Sequence, residues 1–479
     1  MDIKISHNNN ENMKILKDNL FTQCYDLVIR KISHQEKQLL VVYFDTLIEK
    51  EWVYDNLIRP LTRSPVDNPQ VIEEELLETG SVKRLTDFTQ VTEQLTMGDV
   101  VIFTHSSDIG LAVNLPGWKL RSVNEPKSEV VVRGPKEGFI ESLNINVGLL
   151  RRRFRTSDLK TELLTVGQKG KTNLSLIYLD NTVDKDVLNE VRNKLSKIDH
   201  DLVFDTSQIE QLIEDRTFSP FPQIVSTERP DTLAIALSQG RVGLMMEGSP
   251  EALIMPGLFI DFLHSIEDYY HRFYFSLAIR FLRYIMYGIA LILPGLYIAV
   301  TTYHQEMIPT PLLISLTSAR TGVPLPAVIE ALSMEIVFEA LREAGIRLPK
   351  AVGQAVTIVG ALVIGEAAVT AGIVSQPMVI IVALTGIASF TIPGYNAAIS
   401  ARLLRFPIML LAASTGLFGI LVALLILIIH LASLESFGIS YLSPINKLST
   451  ENLGDILRIP LPYQNAFRRR QNEKKKKNS

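Results

Sequence analysis

Three long apolar stretches, Tyr284 to Tyr303, Ala351 to Asn396 and Phe406 to Leu434, hold a single acidic, lysine or arginine side chain between them, Glu366. An ionised carboxylate in the middle of a hydrocarbon-length segment is costly unless it meets water or a partner. Glu366 is therefore expected to line a cavity or an ion pathway; the competing expectation is a protonated structural group making one interhelical bond. Around it, Thr357, Ala361, Gly365, Ala368 and Gly372 recur at spacings of four, four, three and four residues. They share one helical face and let a second backbone approach closely, so Thr357, Ala361 and Gly365 join Glu366 as candidates for a pore or gate. Upstream, Glu330, Glu335, Glu339 and Glu343 are spread along an amphipathic stretch. Repeated in an oligomer, these four, with Glu335 and Glu339 the pore or gating candidates among them, would form rings of negative charge suited to a cation vestibule; otherwise they turn a polar face to water.

Catalytic patterns do not accompany these residues. The chain has no Gly-x-x-x-x-Gly-Lys-Ser/Thr phosphate loop, no Gly-x-Ser-x-Gly elbow and no His-Glu-x-x-His zinc motif. Its eight histidines are scattered without ligand spacing, so no enzyme, metal centre or cofactor is expected. The lone cysteine, Cys24, rules out an internal disulfide framework. Arg133, Gly134, Pro135 and Gly138 look like an anion-binding turn, but two glycines and a proline more simply shape a junction between subdomains.

The candidates need elements to hold them. The chain has 479 residues, a formal net charge of −3 and a mean hydropathy of +0.19. That hydropathy is high for a wholly water-soluble protein, and the balanced charge disfavours nucleic acid. Hydropathy breaks near residue 283. The stretches 284–303, 351–374, 378–396 and 407–434 read as transmembrane spans, since about 20 apolar residues cross a bilayer core, while 308–343 reads as amphipathic or re-entrant. Pro294, Pro309, Pro311 and Pro393 are expected to kink or break the membrane helices.

The expected fold class is thus an α/β N-terminal cytoplasmic region of two subdomains, followed by an all-α multi-span domain with broken or re-entrant helices. A flexible tip covers 1–24, the first subdomain 25–140, a linker helix 141–172 and the second subdomain 173–260. An interfacial aromatic helix covers 261–283, the transmembrane domain 284–434 and a tail with a polybasic end 435–479. In the first subdomain 26–32, 38–44 and 100–104 read as strands and 49–58 and 87–97 as helices. In the second, 174–179, 202–204 and 241–246 read as strands and 184–197 and 208–215 as helices.

Charge counting pulls the topology two ways. Arg272, Arg280 and Arg283 place the N-terminal half on the cytoplasmic side and the terminal arginines and lysines ask for the same, which four spans satisfy. Arg342, Arg347, Lys350, Arg402 and Arg405 also ask to be inside, which four simple spans forbid. Keeping both ends cytoplasmic requires the segment around 308–341 to be re-entrant or interfacial.

Eight motifs then stand in a familiar order. They are RGPKEGF at 133–139, SPFPQIVSTERPD at 219–231, GRVGLMMEGSP at 240–250, EDYYHRF at 267–273, HQEMIPTPL at 304–312, FEALREAGIRLP at 338–349, VGALVIGEAAVTAGIVS at 359–375 and RLLRFP at 402–407. Over residues 25–445 the chain resembles the A subunit of the GerA-type spore germination receptors. The resemblance implies a multi-pass protein of the spore inner membrane with its N-terminal region and C-terminal tail on the core side. It implies partnership with a B subunit that binds the nutrient and a lipoprotein C subunit. It also implies a homo-oligomeric ring, a pentamer, acting as a nutrient-gated channel that releases monovalent ions to trigger germination. A secondary transporter and a non-conducting scaffold subunit are the alternatives. Against the family pattern, Glu366 stands where Gln is usual and Thr370, one turn on, where Glu is usual. Glu247 replaces the usual Asp, and Ser440 the usual Pro.

Overall fold

The computed structural model describes residues 3–34, 37–63, 68–73, 81–105, 107–115, 125–126, 128–349, 353, 360, 363–443 and 445. The chain divides into two compact units, Met1–Thr217 with Ile224–Pro256, and Phe218–Gln223 with Gly257–Ser479.

The first unit contains two five-stranded sheets in which every pairing is antiparallel. Strands β1 (Leu27–His34), β2 (Lys37–Phe44), β3 (Val82–Leu85), β4 (Val100–Phe103) and β5 (Gly110–Val113) lie in the order β1-β2-β4-β5-β3. Strands β6 (Leu159–Val166), β7 (Thr172–Leu179), β8 (Val225–Thr227), β9 (Val242–Met246) and β10 (Ala252–Met255) lie in the order β6-β7-β9-β10-β8. Position for position the two orders are identical, so the unit is one topology used twice. A short helix α1 (Asn9–Lys14) precedes the first sheet, which carries the helical segment α2 at 50–63 and α3 (Phe88–Met97). After the connecting α4 (Leu143–Arg153), the second sheet carries α5 (Lys185–Ser196), α6 (Thr206–Ile213) and α7 (Pro230–Ser238).

Side-chain alternation explains why helices cover both faces. Leu39, Val41, Val100, Ile102, Leu111 and Val113 point to one side of the first sheet, where Val53, Leu57 and Leu61 of α2 cover them. Their neighbours Leu40, Val42, Phe44, Val101, Phe103 and Ala112 point to the other, under Phe88, Val91 and Leu95 of α3. Strands buried on both faces are nearly all apolar, as β4, β9 and β10 are. Helix α3 starts at Asp87, whose carboxylate accepts from the Gln90 N–H at 2.9 Å, and stops at Gly98 with φ +99°.

A buried ion pair ties the two sheets. Arg151 of α4 donates from Nε and Nη2 to Asp26, which also accepts from Thr46 and from Thr161 of β6, each at 2.9 Å. The Arg151 guanidinium lies 4.0 Å from the centre of the Phe44 ring. Burial alone would raise the Asp26 carboxyl, but the Arg151 charge and these hydrogen bonds outweigh it and hold the group below the usual carboxylate range.

The second unit is helical: α8 (Phe273–Thr302), α9 (Thr310–Arg320), α10 (Ala327–Arg347), α11 (Gln376–Phe390), α12 (Tyr395–Thr415) and α13 (Leu417–Ser433), with 363–370 also helical. Helices α8 and α12 are long and apolar enough to cross a membrane, whereas α11 and α13 are shorter apolar helices. Small residues set the α8–α12 spacing: a Cβ on Gly295 would lie 3.1 Å from Ile408 and 3.6 Å from Ala412. A hairpin of β11 (Glu435–Ser436) and β12 (Ile439–Ser440) follows α13, and Ser436 donates to the Gln223 carbonyl at 2.7 Å.

Several expected elements differ. The expected aromatic helix over 261–283 is instead two 3-10 turns, Phe259–Leu263 and Ile266–Tyr269, after which α8 starts at Phe273 and absorbs the first span. Asp268 causes this: it accepts from Arg280 at 2.9 Å and Arg283 at 2.8 Å, stapling the turn onto the helix. The expected span 407–434 is two helices, because Gly416 at φ +66° and ψ −140° breaks the chain between α12 and α13. Residues 202–204 are not a strand, and the expected linker helix over 141–172 contains α4 and then β6. Leu, Lys and Glu in LKTELLTV suggest helix locally, but eight residues of pairing with β7 decide for strand. Pro294 and Pro407 lie inside helices, whereas Pro309 and Pro311 start α9 and Pro393 separates α11 from α12.

Candidate functional site

The chemistry of the second unit collects between α10 and α12. Glu335, Glu339 and Arg342 stand at i, i+4 and i+7 on α10 and therefore share a face; Arg402 and Arg405 stand at i and i+3 on α12. Arg405 donates to Glu335 at 2.6 Å, and both side chains are 0% exposed. One turn along, Glu339 accepts from Arg402 at 3.0 Å and from Arg342 at 3.3 Å. Pairing 335 with 405 and 339 with 402 means that the two helices run antiparallel through this ladder. Arg342 also donates to Ser389 of α11 at 2.8 Å, and its guanidinium lies 5.2 Å from the Phe338 ring centre and 4.6 Å from that of Phe390.

Glu330 forms a separate knot. Fully buried, it accepts from Arg320 at the end of α9 at 3.0 Å and from the N–H and hydroxyl of Ser375 at 3.0 and 2.8 Å. Ser375 is the residue that opens α11, so one carboxylate joins three helices. Glu343 instead makes an exposed pair with Arg347 at 2.6 Å.

Three acids thus pair with four arginines inside a helical body, which lowers the cost of burying each and leaves one positive charge in excess. The match is incomplete. Glu335 Oε1, Arg405 Nε and Nη2, and Arg342 Nε are buried with no hydrogen-bond partner among the described residues. Among those residues there is also no cluster of His, Cys, Asp or Glu able to hold a metal.

The model of the Bacillus/Clostridium GerA spore germination protein family matches residues 14–471. The chain belongs to the GerA spore germination protein family. The uncharacterized membrane protein YfkQ of Bacillus subtilis (strain 168) is 45% identical over 473 residues, covering 98% of this chain and 92% of the relative. Spore germination protein KA of the same organism is 44% identical over 443 residues, covering 91% of this chain and 81% of the relative. The crystal structure of the N-terminal domain of the A subunit of the Bacillus megaterium spore germinant receptor GerK3 aligns with 54% of this chain and 98% of its own length. That alignment has 26% identity and a TM-score of 0.43.

In this GerA-family chain the candidates picked from sequence fall in different places. Glu335 and Glu339 lie in the ladder. Glu366 is exposed, as are Val363, Ile364 and Ile373. Gly365 is buried, its would-be Cβ 3.6 Å from Val379 of α11, and Ala368 packs in the same core. Thr357 and Ala361 lie outside the described residues. In the first unit, Arg229 donates to the Pro135 carbonyl at 2.8 Å, Gly134 has φ +134°, Gly138 is buried and Arg133 is exposed. The segment 133–139 is thereby fastened to the second sheet, with the Phe139 N–H donating to the Glu228 carbonyl at 2.7 Å. Sequence reasoning treated Arg402 and Arg405 only as topology signals. The signal that would have found them is opposite charge at i, i+3 on one helix facing i, i+4 on another.

Proposed function

We propose that this chain is the A subunit of a nutrient germinant receptor in the spore inner membrane. Copies of it form a ring, a pentamer, whose central path passes monovalent ions when a partner B subunit binds its nutrient. Family membership over nearly the whole chain supports the germination role. The lengths of α8 and α12 and the exposed Leu421, Leu425, Ile428 and Ile429 of α13 support insertion in a bilayer.

The observation that carries the channel reading is the exposure of Glu366 within the apolar stretch Ala351 to Asn396. A single copy would present that carboxylate to lipid, so another copy or a wet path covers it in the assembled protein. The charge ladder between antiparallel α10 and α12 is then a frame of paired charges and not itself the ion path. No residue is assigned a catalytic role.

Reconstitution of the receptor with its B and C partners, followed by single-channel recording with nutrient, tests this. Stepwise currents that change in amplitude or selectivity in Glu366→Gln support the channel. Stoichiometric coupled uptake identifies a transporter, and neither signal identifies a scaffold.

A further inference from the structure

We propose that the cleft between α10 and α12 binds the phosphate group of an anionic phospholipid, an inference that rests on the membrane placement above. The cleft has a volume of about 280 Å³. Its charged lining is Glu339, Arg342, Glu343 and Arg402, and its apolar wall includes Ile399, Leu403 and Phe406.

The charges do not balance there. Two guanidiniums share one carboxylate, since Glu339 accepts from both Arg402 and Arg342. Glu343 also lines the cleft, but Arg347 already holds it at 2.6 Å. The Glu335–Arg405 pair on the next turn is neutral in sum. One positive charge is left over, and a phosphodiester carries one negative charge. Arg342 supplies the donor: its side chain is 9% exposed, Nη1 and Nη2 are engaged, and Nε is buried without a partner among the described residues. Phe338 and Phe390 hold the guanidinium plane in place, so little freedom is lost when Nε finds an acceptor.

Position and wall select the source of the phosphate. Tyr395, the first residue of α12, and Ile346, next to the last residue of α10, both line the cleft, so it opens where helices end and headgroups lie. Leu403 is 58% exposed beside it, a surface that acyl chains cover and inorganic phosphate does not.

The test uses the full-length chain purified in a non-ionic detergent and offered vesicles of phosphatidylglycerol and phosphatidylcholine in equal parts. Native mass spectrometry counts the lipids retained per copy. Wild type retains phosphatidylglycerol in preference, and Arg402→Gln weakens that retention at least about tenfold. Glu339→Gln strengthens it, because both arginines lose their competing carboxylate; a misfolded variant does not gain ligand. Equal retention of the two lipids, or a Glu339→Gln variant without gain, overturns the proposal. Displacement of phosphatidylglycerol by millimolar inorganic phosphate overturns the lipid source and leaves a free anion as the ligand. Lipid is counted whatever the conductance, and a chain that purifies without detergent removes the membrane placement before any lipid is added, so the two failures are separable.

Discussion

At the scale of single residues, the ladder makes the sharpest demand. Removing one member of a buried pair strands the other as an uncompensated charge, which costs about 3–5 kcal/mol, whereas replacing both with apolar groups of similar volume is often neutral. Arg405→Met should therefore lower the unfolding midpoint of the detergent-purified chain far more than the double variant Glu335→Leu, Arg405→Met. Equal losses would mean that the pair contributes only packing. Glu129 gives a pH-dependent counterpart in the first unit. It accepts from Thr227 at 2.6 Å, and burial pushes its carboxyl up to about 7 against the opposing Thr227 hydrogen bond and Arg229 charge. A raised acid holds a proton in the folded state that the unfolded chain has already released above ~4.3, so stability falls as pH rises from there to about 7. Glu129→Gln should remove this slope, gaining on wild type by up to about 3 kcal/mol between about pH 5 and pH 8. Denaturation at those two pH values checks it, and a constant difference would refute it. Sequence pattern was sufficient to single out Glu335 and Glu339. Their partners were hidden because Arg402 lies 63 residues from Glu339 and Arg405 lies 70 from Glu335, and periodicity reports only local neighbours.

At the scale of elements, apolar alternation located the strands it could see. The readings 38–44, 100–104 and 241–246 match β2, β4 and β9 closely, because these strands lie inside their sheets and are nearly all apolar. The four-residue interior strands β5 and β10 and the short edge strands β3 and β8 are too brief to show a pattern, and the edge strand β6 is polar; without these five the shared order of the two sheets was invisible. Hydropathy also could not see the break between α12 and α13, since glycine is neutral to lipid; the break is a backbone property. At φ +66° and ψ −140° only glycine is at ease, and a Cβ on Gly416 would lie 2.6 Å from His304 Cε1 and 3.0 Å from Tyr303 Cβ. Gly416→Ala is expected to cost about 2 kcal/mol or more, read as a lower melting temperature in detergent. An unchanged melting temperature would show that α12 and α13 tolerate a different junction.

At the scale of the whole molecule, the ladder bears on the contradiction in topology. Arg342, Arg402 and Arg405 looked like loop charges that must stay inside, yet Glu335 and Glu339 pair with them within the helical body and leave a single net positive charge. The positive-inside count concerns cations in short loops, and these arginines stand within helices, so they do not enter it as loop charges. Glu366 is exposed on the chain, and the account rests on other copies enclosing it. The most direct test is the mass of the full-length chain in lipid nanodiscs, with the lipid and belt contributions subtracted. The account predicts a closed multiple of the 53.6 kDa chain, five copies for a pentamer. A single copy under conditions that support germinant-dependent currents would contradict it.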